Sequence, residues 1–298
     1  MTESTDQPGL HMARPKCVVE SGPWPFITKR IFEAADKKKT IWSSRHHRKH
    51  LQVSLDSRTV LPKWSLAEVV WFPHRMNWWI GAIFSLGALL FGLASLLSLD
   101  STAMEAMSGW REMVAATFFV GSLFFTAAAY LQLFQSANAR EFPLQKPGSS
   151  RRKILFGWRP RDIGWLSSAL QFIGTIWFNL NTFDGMFPAA GWIRQDFMLW
   201  IPDIIGSVFF LVSGRLAFLE TCHKRWGWQP NNISWWVVFS NLLGCLAFMI
   251  AAILSVSLPF PVASWVSVAS VAFTLIGSIG FLIGSLLMLP ESTSTYAD

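Results

Sequence analysis

From residue 78 onward the chain is a succession of long apolar runs broken by short polar joints. The runs lack the period-two alternation of a barrel strand, and each is about 20 residues or longer, enough to cross a hydrocarbon core of roughly 30 Å. Inside lipid the backbone has no water to bond, so runs of this kind must be helices. Helices are predicted at Trp78–Leu99, Met113–Phe134, Ile163–Phe183, Leu199–Leu219, Trp235–Leu258 and Trp265–Leu289.

The stretch Gly206–Glu220, GSVFFLVSGRLAFLE, is echoed at Gly121–Gln135 and Gly277–Glu291. Each begins Gly-Ser and carries Phe four residues after the glycine. Shorter forms precede them at Gly87-x-x-x-Phe91, Gly174-x-x-x-Phe178 and Gly244-x-x-x-Phe248. Gly87, Gly121, Gly174, Gly206, Gly244 and Gly277 fall close to mid-span, each followed along the stripe by Ser95, Ala129, Thr182, Gly214, Ala252 or Ser285. Small residues at this spacing let helix backbones approach closely in lipid. Gly280 and Gly284 add a Gly-x-x-x-Gly in the last run. The expected fold is all-α and polytopic: six transmembrane helices in three parallel hairpin repeats at 78–134, 163–219 and 235–289, with a short tail at 291–298.

Charge fixes the expected orientation. Residues 1–77 hold 13 Lys and Arg, the 135–162 joint holds seven, and Lys224 and Arg225 follow the fourth run. The opposite joints hold only Arg111 and Arg194, beside Asp100, Glu105, Glu112, Asp184 and Asp196. Both termini are therefore expected to be cytoplasmic, with the protein in the cell membrane. Composition agrees: 14% of residues are charged against roughly 25% in soluble domains. No signal peptide is visible, so the first span is expected to direct insertion.

Residues 1–77 read as a cytoplasmic basic tail, disordered to about Gly22. From Trp24, Ile27, Ile31 and Ala35 share one side of a short amphipathic helix, lying in the headgroups or packed on the membrane domain. Lys37–Lys39 and Arg45-His46-His47-Arg48-Lys49-His50 follow. His46 and His50 have the spacing to share a metal on a helix, but no carboxylate or cysteine completes a site, and a solvated basic segment is favoured. Its natural partner is anionic lipid headgroups, at roughly 1 kcal/mol per basic residue. Nucleic acid is not expected as a partner, and a homo-oligomer is compatible with the pattern. Cys17, Cys222 and Cys245 suggest neither disulfides nor metal ligands.

The last hairpin, GSIGFLIGSLLMLPE with the preceding NLLGCLAFMIAAI, resembles the YrhK-like domain, a two-helix bacterial membrane module. The middle stretch resembles larger multi-span proteins of bacteria and fungi, over roughly Trp78 to Glu291. The resemblance implies an architecture and no activity.

Intramembrane polar groups are the default functional candidates. They are Gln171, Asn179, Asn181, Asp184, Asp203, Arg215 and Asn241. Asn179 and Asp203 lie at similar depth, where they could meet across the second hairpin, but a helix start at Pro202-Asp203 is the favoured reading. Arg215 is expected to face inward, held by Gln171 or Asn241. No Walker loop, His-Glu-x-x-His or Ser-His-Asp set is present, so no catalytic residue, metal or cofactor is expected. The favoured reading is a non-enzymatic scaffold, sensor or partner-binding membrane protein. The alternative is a small-solute or ion transporter with a path between the hairpins, marked by a continuous polar cavity reaching mid-span.

Overall fold

The computed structural model describes residues 16–33, 39–49, 69, 71–99, 108–139, 153–187, 191, 196–256 and 263–293. It is mostly helical, but it opens on a sheet. Strands β1 (Lys16–Ser21), β2 (Lys29–Glu33) and β3 (Lys39–Ser43) pair antiparallel in that order. Ile31 stands opposite Ile41, and Arg30 stands between Glu20 and Trp42. The Arg30 guanidinium pairs with Glu20 at 2.9 Å and lies over the Trp42 ring at 5.6 Å. This corrects the all-α expectation and the helix expected from Trp24. Val18, Val19, Ile31, Phe32, Ile41 and Trp42 are branched or aromatic and suit a pleated surface. Pro23 and Pro25 interrupt any helix between the first two strands. A single helical turn, α1 (Ser44–Arg48), follows β3 directly.

Six long helices come next: α2 (Met76–Leu99), α3 (Trp110–Ala137), α4 (Ile163–Asp184), α5 (Ile201–Cys222), α6 (Ile233–Leu254) and α7 (Ser264–Thr293). Among the described residues, five of the seven α-helices are long and apolar enough to cross a membrane. The exceptions are the short α1 and α4, which carries Gln171, Asn179, Asn181 and Asp184. Their starts are locally encoded. Asp162 caps α4 by accepting from the Gly164 and Trp165 amides, and Asn232 caps α6 from Ser234. Pro202 sits in the first turn of α5, where its missing N–H costs nothing. Many Ser and Thr hydroxyls donate to the carbonyl one turn back, which satisfies them without water.

The six helices close into a ring, each packed on its sequence neighbours and α7 packed back on α2. The stripe glycines lie where neighbouring helices approach backbone to backbone. A methyl added at Gly87 would stand 3.1 Å from the Gly121 carbonyl oxygen. One at Gly174 would stand 3.2 Å from that of Gly206, and one at Gly244 would stand 3.0 Å from that of Gly277. Backbones this close admit no side chain, and the space beside each glycine is taken by the partner helix's stripe phenylalanine.

Those phenylalanines meet in the interior, one from each helix. Phe91, Phe125, Phe281, Phe210, Phe178 and Phe248 form a closed circuit with ring centroids 4.8–5.9 Å apart. All six are buried. Edge-on and tilted pairs of this kind contribute about 0.5–1.5 kcal/mol beyond their area burial. The circuit divides the bundle into two ends. The basal end holds the starts of α2, α4 and α6, and the distal end holds their finishes.

Candidate functional site

The basal end carries a buried ionic cluster that ties α1 to the bundle. Glu220, in the last turn of α5, accepts from Arg48 Nη2 at 2.7 Å and from Ser44 Oγ at 2.7 Å. Arg48 Nη1 also donates to Ser136 Oγ of α3 at 3.4 Å. Glu291, in the last turns of α7, accepts from Arg45 at 3.0 Å, Lys49 Nζ at 2.6 Å and Ser234 Oγ of α6 at 2.7 Å. Both carboxylates are fully buried, and the three cations are at most 5% exposed. Gly164 at the start of α4 makes the space: a methyl there would lie 2.5 Å from Arg48 Nε and 2.7 Å from Glu220 Oε1. A second tie runs from the sheet, where Thr28 Oγ1 bonds His223 Nδ1 at 2.9 Å.

Burial governs the titration of these bases. It pushes Lys49 down to about 7, with Arg45 adding to the effect and Glu291 opposing it. It lowers His46, and it lowers His223 to about 4 with help from Lys29. Arg48 moves the other way: burial works against its charge, but Glu220, with Asp162 and Glu291 adding to it, outweighs that cost. The basic run read as solvated is thus an interior part of the protein through Arg45, Arg48 and Lys49. Full desolvation of a cation is tolerable only with a carboxylate beside it, and α5 and α7 supply one each. Its expected partnership with lipid headgroups is a separate matter, and His50 lies outside the described residues. No group of His, Cys, Asp or Glu among the described residues is arranged to hold a metal.

Around the same end runs an aromatic collar. Trp71, Trp158 and Trp228 each stand seven residues before Trp78, Trp165 and Trp235, and meet them edge-on at 5.6, 5.4 and 4.8 Å. The inner indoles are buried and donate to the carbonyls of Val69, Phe156 and Gly227. The outer three are 63%, 81% and 64% exposed. This is how indole behaves where an apolar phase meets a wet one.

Two cavities flank the phenylalanine circuit. The basal one, about 50 Å³, lies between Phe210 and Phe281 on one side and Arg45 and Lys49 on the other. Gln171 and Asn241 line it, together with Gln132. The distal one, about 360 Å³, is lined by Asn181, Thr182, Asp203 and Arg111 and floored by Phe91, Phe178 and Phe248. The structure therefore brings the candidate polar residues into two groups. Asn179 does not meet Asp203: its amide donates to Thr126 Oγ1 at 2.9 Å, while Asp203 accepts from Ser255 Oγ at 3.4 Å. Asn181 donates to the Leu199 carbonyl at 2.7 Å, and Asp184 ends α4 half-buried. Arg215 is not inward as expected. Its Nη2 donates to the Arg225 carbonyl at 2.6 Å and its guanidinium lies 5.8 Å from the Phe218 ring, so the long side chain reaches the basal edge.

Sequence reasoning passed over Glu220, Glu291 and the tryptophan pairs. A signal for each was present. Gln135, Glu220 and Glu291 all stand fourteen residues after a Gly-Ser, and Trp-x-Pro recurs at 71, 158 and 228. No family model, curated protein or solved structure matches this chain.

Proposed function

We propose that this chain is a six-span, non-enzymatic membrane protein of three parallel hairpins, acting as a sensor or partner-binding unit through the small sheet that it holds against its cytoplasmic end. In this reading α4 is the sixth span, its outer face carrying the exposed apolar Ile173, Ile176 and Leu180, and the basal end is cytoplasmic. The Lys and Arg excess of the tail and basal joints supports that orientation, and the tryptophan collar supports a headgroup level just above the ionic cluster. The YrhK-like resemblance extends to architecture only, and cell-membrane residence rests on the apolar helices.

The observation that carries the proposal is the ionic cluster. A buried ion pair contributes little net stability, so its use is better sought in specificity: it fixes where the sheet sits, and with what protonation. The docked sheet presents Val18, Val19 and Trp24 outward, and β1 is an edge strand open to pairing. Hydrogen exchange on protein in lipid nanodiscs tests the proposal. Residues 16–33 and 39–49 should be protected as one unit with the basal helix ends, and reporters at Glu105 and Gln195 should read external while Lys146 and Lys224 read cytoplasmic. An external Lys146, or a sheet exchanging independently of the bundle, would overturn it.

The transporter reading keeps one support: the cavities lie back to back across the phenylalanine circuit. Six buried rings stand between them, so a path exists only if the circuit opens. Solute-uptake measurements on reconstituted vesicles decide that point, with uptake expected to stay at background.

A further inference from the structure

The distal cavity has a chemical character of its own. Its volume, about 360 Å³, falls in the range of small-molecule sites, and its floor is aromatic. Phe91, Phe178 and Phe248 belong to the circuit, and Phe118 packs edge-on against Phe91 at 5.3 Å. Into this apolar space the first turn of α5 projects Asp203. Its carboxyl group has one hydrogen bond among the described residues, a long one from Ser255 Oγ at 3.4 Å. Among the described residues no Lys, Arg or His lies within ion-pair distance of it. The other charged lining residue, Arg111, is exposed at the mouth and forms no pair with it.

A carboxylate and several π faces around one space are complementary to a single chemical class. Aromatic faces attract a cation through the ring quadrupole, with greater strength when water is excluded. A carboxylate supplies the charge-assisted hydrogen bond that an ammonium group donates. An anion would find no buried donor cation among the described residues here, and a neutral apolar molecule would leave Asp203 with only its long bond from Ser255.

We propose that the distal cavity is a binding site for a small organic ammonium ion, with its charged nitrogen at Asp203 and its apolar part on the phenylalanine floor. The ammonium hydrogens reach Asp203 Oδ1 and Oδ2, and the Asn181 and Thr182 oxygens at the same wall offer further acceptors. Arg111 at the mouth repels the same cation and so weakens rather than makes the site. The proposal goes beyond the sensor reading and does not depend on the ionic cluster, which lies across the circuit.

Titration calorimetry on the full chain in nanodiscs tests it, with 2-phenylethylammonium as the probe and 2-phenylethanol as its neutral match. The amine should bind at least roughly tenfold more tightly, the ratio expected for one net charge-assisted bond. Asp203→Asn should abolish that preference while leaving the alcohol unchanged, and Arg111→Gln should tighten the amine a few-fold. Phe118→Leu removes a π face without touching the charge, so it should narrow the preference even if the Asp203 variant does not fold. Equal binding of amine and alcohol to the wild-type chain would overturn the proposal. So would an Asp203→Asn protein that still prefers the amine.

Discussion

Replacing Glu220 by Gln isolates the first half of the ionic cluster. Amide and carboxylate have the same shape, so Ser44 keeps an acceptor and packing is preserved. Arg48, only 3% exposed, then lacks its paired carboxylate, with Ser136 Oγ at 3.4 Å as its other hydrogen-bond partner among the described residues. Breaking a buried pair from one side costs about 3–5 kcal/mol. At about 1.4 kcal/mol per decade, the docking equilibrium should fall by roughly 100- to 4,000-fold. Hydrogen exchange in nanodiscs reads this directly as lost amide protection across β3 and α1 (39–49), with the α2–α7 core unchanged. The double variant Glu220→Met, Arg48→Met removes both charges and should recover to within about 1 kcal/mol of the wild type, or exceed it. Unchanged protection in the single variant would refute the account. So would a double variant as weak as the sum of its parts, because the charges would then act independently.

Acid should loosen the docked sheet. Lys49, held near 7 against an ordinary 10.5, sheds its proton in the docked state while the undocked state keeps it, so docking strengthens as pH rises across that interval. His223, held near 4 against 6.5, refuses a proton when docked, so docking weakens as pH falls through that interval, and His46 acts in the same sense. Exchange of residues 39–49 measured from pH 9 to pH 4.5 should therefore accelerate monotonically toward acid beyond the intrinsic rate correction; a minimum of docking at high pH would contradict it. Gly280→Ala should lower the thermal midpoint in micelles, because the new methyl would stand 3.0 Å from the Gly244 Cα and amide nitrogen and the Ser240 carbonyl oxygen. Overpacking against backbone costs about 1–3 kcal/mol, whereas Gly109→Ala, with open space around it, tests strain at positive φ alone.

The membrane helices were legible because the signal was long and redundant. Run length and small-residue stripes point the same way, and the stripe glycines lie at helix contacts. The N-terminal region was misread for a local reason. Ile27, Ile31 and Ala35 match a helical period, but the three strands are only five or six residues long and their pairing is set by partners in other strands. The ionic cluster failed for a different one. Arg48 and Glu220 are 172 residues apart, and nothing near Arg48 announces that its neighbours will be helix ends rather than water. Arg215 misled because depth along a helix does not fix which way a long, flexible side chain leaves it. The convergence of six phenylalanines required knowing that the helices close into a ring, which no single run contains.

Glu220 and Glu291 stand fourteen residues after their Gly-Ser, and at the third such place, Gln135, the residue is neutral. Its Oε1 is buried without a hydrogen bond among the described residues. In the proposed three-hairpin arrangement, α1 is offered three equivalent seats. Two acidic sockets and one blank leave a single orientation in which Arg45 and Lys49 share one socket while Arg48 takes the other. The missing charge works like the asymmetric notch on a key. Moving the blank, by exchanging Gln135 with Glu220, should rotate the seat of the sheet rather than abolish it.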